Sequence, residues 1–215
     1  MKKIRIVAIA NEPLRQEFVS RLRHLGNVEI LFAGTPEELA QLRNADAYFD
    51  LEFRNQSRRI GILKTLIPSL VFIDAVDVTL QELGEPFVRI NAWPGFIERK
   101  TCEFCATKEN LGRVQAFFEL LQWQSQLVKD IPGMISARVL AMIINEAYFA
   151  LGEKISMKED IDIAMKLGTG YPMGPFEWAA KIGTQRIYQL LKALQKNDPH
   201  YSIAPMLVAE SAADI

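Results

Sequence analysis

Cysteine and histidine are scarce in this chain, with two of each in 215 residues. A structural zinc takes about four ligands, and Cys102 and Cys105 lie far in sequence from both His24 and His200. The four residues Cys102-Glu103-Phe104-Cys105 read as part of a strand. That spacing turns the two thiols to opposite faces, so core packing is expected of them and no metal or redox role. Net charge is nearly absent as well: 25 basic against 26 acidic residues leave −1. Nothing in that balance points to a nucleic-acid or membrane-surface partner. No apolar run approaches the length that spans a bilayer, about 20 residues. The N-terminal run is β-branched, short and followed at once by charge, unlike a signal peptide. The expectation is a cytoplasmic protein with no membrane partner. Internal repeats and low-complexity segments are missing too.

Ordinary globular material makes up the rest, with 49% hydrophobic and 24% charged residues, enough to bury a sizeable core. Strands are expected at 4–10, 28–33, 46–53, 70–76, 87–91, 101–106 and 125–129. Between the first two, Leu14, Phe18, Leu22 and Leu25 recur at a helical period, and Gly26 stops that helix. Thr35 and Glu38 form a capping-box pattern opening another helix. Residues 110–122 read as a helix. Strands alternating with helices predict a parallel, doubly wound α/β sheet. Beyond Asp130 the period turns purely helical, over 134–152, 157–167 and 174–196, and from about Glu210 the chain reads as frayed. Two domains are therefore predicted, 1–130 and 131–215.

Three stretches carry a resemblance. The first is Lys129-Asp130-Ile131-Pro132-Gly133-Met134-Ile135, leading into a helix with Asn145-Glu146-Ala147. The second is Glu159-Asp160-Ile161-Asp162-Ile163-Ala164-Met165-Lys166-Leu167-Gly168. The third is Gly170-Tyr171-Pro172-Met173-Gly174-Pro175-Phe176-Glu177-Trp178, followed by Ile182-Gly183. In this order and spacing they resemble the C-terminal domain of 3-hydroxyacyl-CoA dehydrogenases, across roughly residues 87–207. Taken singly they read as scaffold. The 130–133 stretch is a Pro-Gly turn, Glu159 and Asp160 suit a helix first turn, and Pro175 suits the start of the next helix. The resemblance implies a Rossmann-like parallel sheet with a reduced N-terminal domain, its 47–70 stretch condensed. An all-α C-terminal domain of the 6-phosphogluconate-dehydrogenase-like type follows. It also implies a homodimer through the C-terminal helices and an acyl-CoA groove.

The same resemblance exposes departures. A dinucleotide site needs a glycine-rich turn after the first strand, so that backbone and a helix N-terminus can approach the pyrophosphate. Ala10, Glu12 and Arg15 stand at the three glycine positions, and no acid ends the second strand, where Phe32-Ala33-Gly34 lies. No NAD site is expected from these residues. The family's catalytic His and the Glu twelve residues later align with Asn91 and Glu103. Asn has no proton-accepting pKa near neutrality. Ala137 takes the position of the family's substrate-contacting Asn and Arg138 the Arg after it; the stretch 74–79 does not reproduce the family's Asn-Thr-Ser-Ser run. The predicted function is a dehydrogenase-like protein without NAD-dependent activity, retaining an acyl-CoA or small-molecule groove. Two alternatives remain: an active dehydrogenase with a rebuilt site that binds NAD, and a dimeric interaction module.

Overall fold

The computed structural model describes residues 3–213, in two compact units, Met1–Met134 and Ile135–Ile215. Unit 1 carries seven strands: β1 (Ile4–Ile9), β2 (Val28–Phe32), β3 (Ala47–Asp50), β4 (Leu70–Asp74), β5 (Val88–Ile90), β6 (Thr101–Cys105) and β7 (Gln124–Leu127). Its helices are α1 (Glu12–Leu22), α2 (Pro36–Gln41), α3 (Ser57–Lys64), α4 (Leu80–Leu83) and α5 (Lys108–Leu120). The strands form one sheet in the order β2-β1-β3-β4-β5-β6-β7.

The doubly wound sheet is as expected, with one departure from an all-parallel arrangement. β5 and β6 pair antiparallel, while every other pair is parallel. A parallel return needs a crossover of a dozen or so residues, usually a helix. Residues 91–100 hold only turns, so the chain reverses. The first strands take the order 2-1-3, which is also a doubly wound one. A full dinucleotide half places a third strand outside β2; here β2 is the edge and β3 has crossed to the far side of β1. That crossing puts the topological switch point between β1 and β3, where Ile9 pairs with Asp50.

Alternation along the strands sorts the core onto two faces. On one, Phe49 and Phe72 are cross-strand neighbours with rings stacked 4.4 Å apart, and Phe18 of α1 leans on Phe49 at 4.9 Å. Each such buried ring contributes roughly 1.5–3 kcal/mol of transfer free energy. Cys102 packs on this face and Cys105 on the other. Burial pushes the Cys105 thiol up to about 11 and raises Cys102 further, so both are inert thiols.

Unit 2 is helical: α6 (Ser136–Gly152), α7 (Lys158–Thr169), α8 (Pro175–Ile182), α9 (Thr184–Asn197) and α10 (Pro205–Ala213). The last corrects the reading of a frayed end. Residues 210–213 are helical, and Leu207 and Ser211 are buried; residues 214–215 lie outside the described residues. The division between units falls four residues after the expected 130/131. Gly133 N–H donates to the Val76 carbonyl at 2.6 Å and Met134 is buried in the sheet's core, so the Pro-Gly turn belongs to unit 1. Buried Arg89 holds the start of that turn, its guanidinium 2.5 Å from Asp130 Oδ1. Among the described residues no helix is long and apolar enough to cross a membrane.

Candidate functional site

Parallel α/β sheets present ligands at the carboxyl ends of their strands, at the switch point. Four polar positions line that edge here. Asp50 ends β3, Asp74 ends β4, Asn91 follows β5, and Glu103 lies in β6. The register places them. β5 and β6 pair Arg89 with Cys105 and Ile90 with Phe104, and one step further Asn91 comes opposite Glu103. The two residues that the resemblance matched to a catalytic pair thus lie one step beyond the last bonded pair of β5 and β6, Ile90 with Phe104. Asn91 is buried, and its Oδ1 accepts from Trp93 N–H at 3.1 Å. Asp74 Oδ1 accepts from Ala92 N–H at 2.9 Å, fixing the loop that carries Asn91.

At the β1–α1 turn the three aligned residues each take a different place. Ala10 is buried at the end of β1. Asn11 caps α1, its side chain accepting from Leu14 N–H at 3.1 Å. Glu12 is the first helical residue, exposed, with Oε1 3.1 Å from Gln16 Nε2. Arg15 folds back across the turn. Its Nε donates to the Ala10 carbonyl at 2.7 Å, and its guanidinium lies 4.9 Å from the centre of the Phe32 ring at the end of β2. A pyrophosphate needs bare backbone and an uncapped helix end in this turn. The turn supplies instead a capping amide, a carboxylate and a side chain laid over the strand end. These residues do not fit an NAD pyrophosphate.

The switch point itself holds a group that the sequence reading missed. Asp50 is fully buried beside Ile9. Arg59 of α3 grips it with two bonds, Nε–Oδ2 at 2.6 Å and NH2–Oδ1 at 2.5 Å. Burial raises the Asp50 pKa; the bonds to Arg59 and its charge oppose that rise, and the Asp74 charge adds to it. A second, buried carboxylate therefore lies at the switch point. An aspartate inside an otherwise apolar run, Ala47-Tyr48-Phe49-Asp50-Leu51, was the available signal.

In unit 2, Ala137 is buried in α6. Arg138 NH1 lies 3.3 Å from the Tyr201 hydroxyl, with the guanidinium 5.6 Å from that ring's centre. The recognition motifs here are structural. Asp162 is buried and accepts from the Phe176 and Glu177 N–H groups at 2.8 and 3.1 Å, capping α8 from a neighbouring helix. Gly174 makes room for it, since a Cβ there would sit 2.3 Å from the Asp162 carboxylate. Asn145 joins α6 to residues 202–204, donating to the Ser202 carbonyl and accepting from Ala204 N–H, each at 2.9 Å. His200 is an exposed turn residue.

Comparison with known proteins follows the same division. A family model for the 3-hydroxyacyl-CoA dehydrogenase C-terminal domain matches residues 133–214. A 3-hydroxyadipyl-CoA dehydrogenase of Escherichia coli is 36% identical over 61% of this chain but only 28% of its own length. A 3-hydroxybutyryl-CoA dehydrogenase of Bradyrhizobium diazoefficiens is 38% identical over 43% of this chain and 32% of its own. The chain thus spans about a third or less of the length of these curated relatives. By fold the likeness extends further. The crystal structure of (S)-3-hydroxybutyryl-CoA dehydrogenase from Ralstonia eutropha superposes with a TM-score of 0.74 over 99% of this chain and 94% of that one, at 18% identity. Residues 133–214 thus belong to the 3-hydroxyacyl-CoA dehydrogenase C-terminal-domain family, and the chain shares the fold of these dehydrogenases.

Proposed function

We propose that this chain is a member of the family that carries out no NAD-dependent oxidation and binds an acyl-CoA or related small molecule as a homodimer. The observation that carries the first part is the filled switch point. Asp50, locked by Arg59, puts one carboxylate at the switch point, and Glu12 puts another in the first turn of α1, the helix end on which a dinucleotide pyrophosphate would rest. The Asn at position 91 agrees with it, because an amide cannot take the proton of a hydroxyl substrate. The acyl-CoA ligand is carried over from relatives named for acyl-CoA substrates. The homodimer draws on apolar side chains left to water on α6 and α7, Val139 (55% exposed) and Leu167 (83%) among them. Isolated exposed apolar residues are ordinary; several within one small helical unit favour an interaction surface.

The second reading is a dehydrogenase with a rebuilt site; in its favour stands the opposition of Asn91 and Glu103 across β5 and β6. Titration with NADH, followed by its fluorescence, separates the two. No saturation at millimolar NADH is expected, and micromolar binding would overturn the proposal. Acetoacetyl-CoA or free CoA should raise the melting temperature, because a ligand of the folded state adds about 2.7 kcal/mol at a hundredfold excess over its Kd. The variant Glu12→Gly/Arg15→Gly should gain measurable NADH binding if the turn is the obstacle.

A further inference from the structure

At the opposite edge of the sheet, away from every residue discussed so far, a hollow of about 480 Å³ opens between the amino ends of the strands and α5. Ile4 and Leu70, which start β1 and β4, form its floor with Phe117 of α5, and all three are buried. Leu120 stands at the rim, 61% exposed. The volume lies in the range that small-molecule sites take, roughly 300–1,000 Å³. Its walls are mainly apolar with a few polar groups, also the pattern of such sites.

The polar groups define the ligand. Arg113 is exposed on α5 at this hollow. Its NH2 donates to the Pro68 carbonyl at 2.8 Å and its NH1 to Asn110 Oδ1 at 3.2 Å. Both acceptors are neutral, and among the described residues no carboxylate pairs with this guanidinium. A guanidinium carries five N–H donors in a fork that matches a carboxylate, so Arg113 keeps its charge and several donors for an anion. Asp46 lines the hollow too, but Oδ2 already accepts from Arg5 N–H at 2.9 Å. Its negative charge works against a second carboxylate in the same space.

We propose that this hollow binds an aliphatic monocarboxylate of medium chain length, with the carboxylate on Arg113 and the chain against Ile4, Leu70 and Phe117. The site shares no residue with the switch point, so it stands or falls independently of the reading above.

Octanoate is the probe, titrated below its aggregation range and followed by calorimetry. Wild-type protein should give saturable one-site binding. Arg113→Gln should weaken it about tenfold, as expected for one lost charge-assisted interaction. Ala116→Trp, an exposed position lining the hollow, should fill the space and abolish binding. Ligand-free melting temperatures near the wild-type value would confirm that both variants fold. Octylamine and suberate, equal in carbon number but with the wrong charge or one carboxylate too many, should each bind at least about tenfold more weakly. Absence of saturable octanoate binding would overturn the proposal, as would unchanged affinity in the two variants. Octylamine binding as tightly as octanoate would also overturn it, since the hollow would then be merely greasy.

Discussion

The N-termini of α8 and α1 each meet a carboxylate, and they do so in opposite ways. At α8 the anion comes from another helix. Asp162 caps the first N–H groups, and Gly174 is bare so that the carboxylate can approach. At α1 the glycines are gone. Asn11 caps the helix, Glu12 sits in its first turn, and Arg15 lies over the strand end. The electrostatics are the same, since negative charge is favoured at a helix N-terminus in both cases. What differs is whether room is left for a group from elsewhere. Unit 2 keeps a glycine because its own core requires one; unit 1 has none where only a ligand would require it.

Three substitutions test this contrast. The largest effect is expected for Arg59→Ala, which leaves Asp50 buried and unpaired; removing one partner of a buried pair costs about 3 kcal/mol. The loss should depend on pH. Asp50 holds its proton more tightly folded than unfolded, since its pKa is raised by burial. Its contribution is therefore best below the ordinary aspartate value and is lost as pH rises through the raised one. Without Arg59 that window widens upward, so the gap between variant and wild type should shrink on acidification. Urea melts from pH 4 to 8 would show it, and a gap constant with pH would contradict this account. Asp50→Asn/Arg59→Ala should remove the dependence.

Gly174→Ala comes next. A Cβ 2.3 Å from the Asp162 carboxylate forces that group off the α8 N-terminus, and overpacking of this kind costs about 2 kcal/mol. The double variant with Asp162→Ala should cost less than the two single losses added together, because the clash disappears with the carboxylate. Strict additivity of the melting free energies would mean that the close approach has no energetic weight. The smallest effect is expected for Arg15→Ala. It gives up one hydrogen bond and one cation–ring contact at a half-exposed site, about 0.5–1 kcal/mol. A drop of several kcal/mol would show that Arg15 holds the β1–α1 turn together and does more than cover it.

Much of this was legible in the chain. The apolar strand runs, the cap at Thr35 and the helical period after 134 gave the seven strands and most of the helices, but not α3, α4 or α10. Asn91 and Glu103 were singled out by the resemblance alone; that β5 and β6 run antiparallel beside them was not readable from their separation. Asp50 was missed because its carboxylate sits inside a strand run whose neighbours are all apolar. Its meaning depends on two partners distant in sequence, Ile9 across the sheet and Arg59 from α3. The reversed β6 was missed because periodicity reports which face a residue takes and carries no sign for strand direction.

By itself the sequence determined composition, period and motif order, and through them the family and the loss of the dinucleotide glycines, since those depend on residue type at a position. Only the tertiary structure decided that β3 crosses to the far side of β1, that Arg59 closes over Asp50, and that Arg113, in no ion pair among the described residues, borders an apolar hollow. Each of these is a relation between residues far apart in the chain. Such relations are set by how strands stack and helices return, and local chemistry carries no record of that.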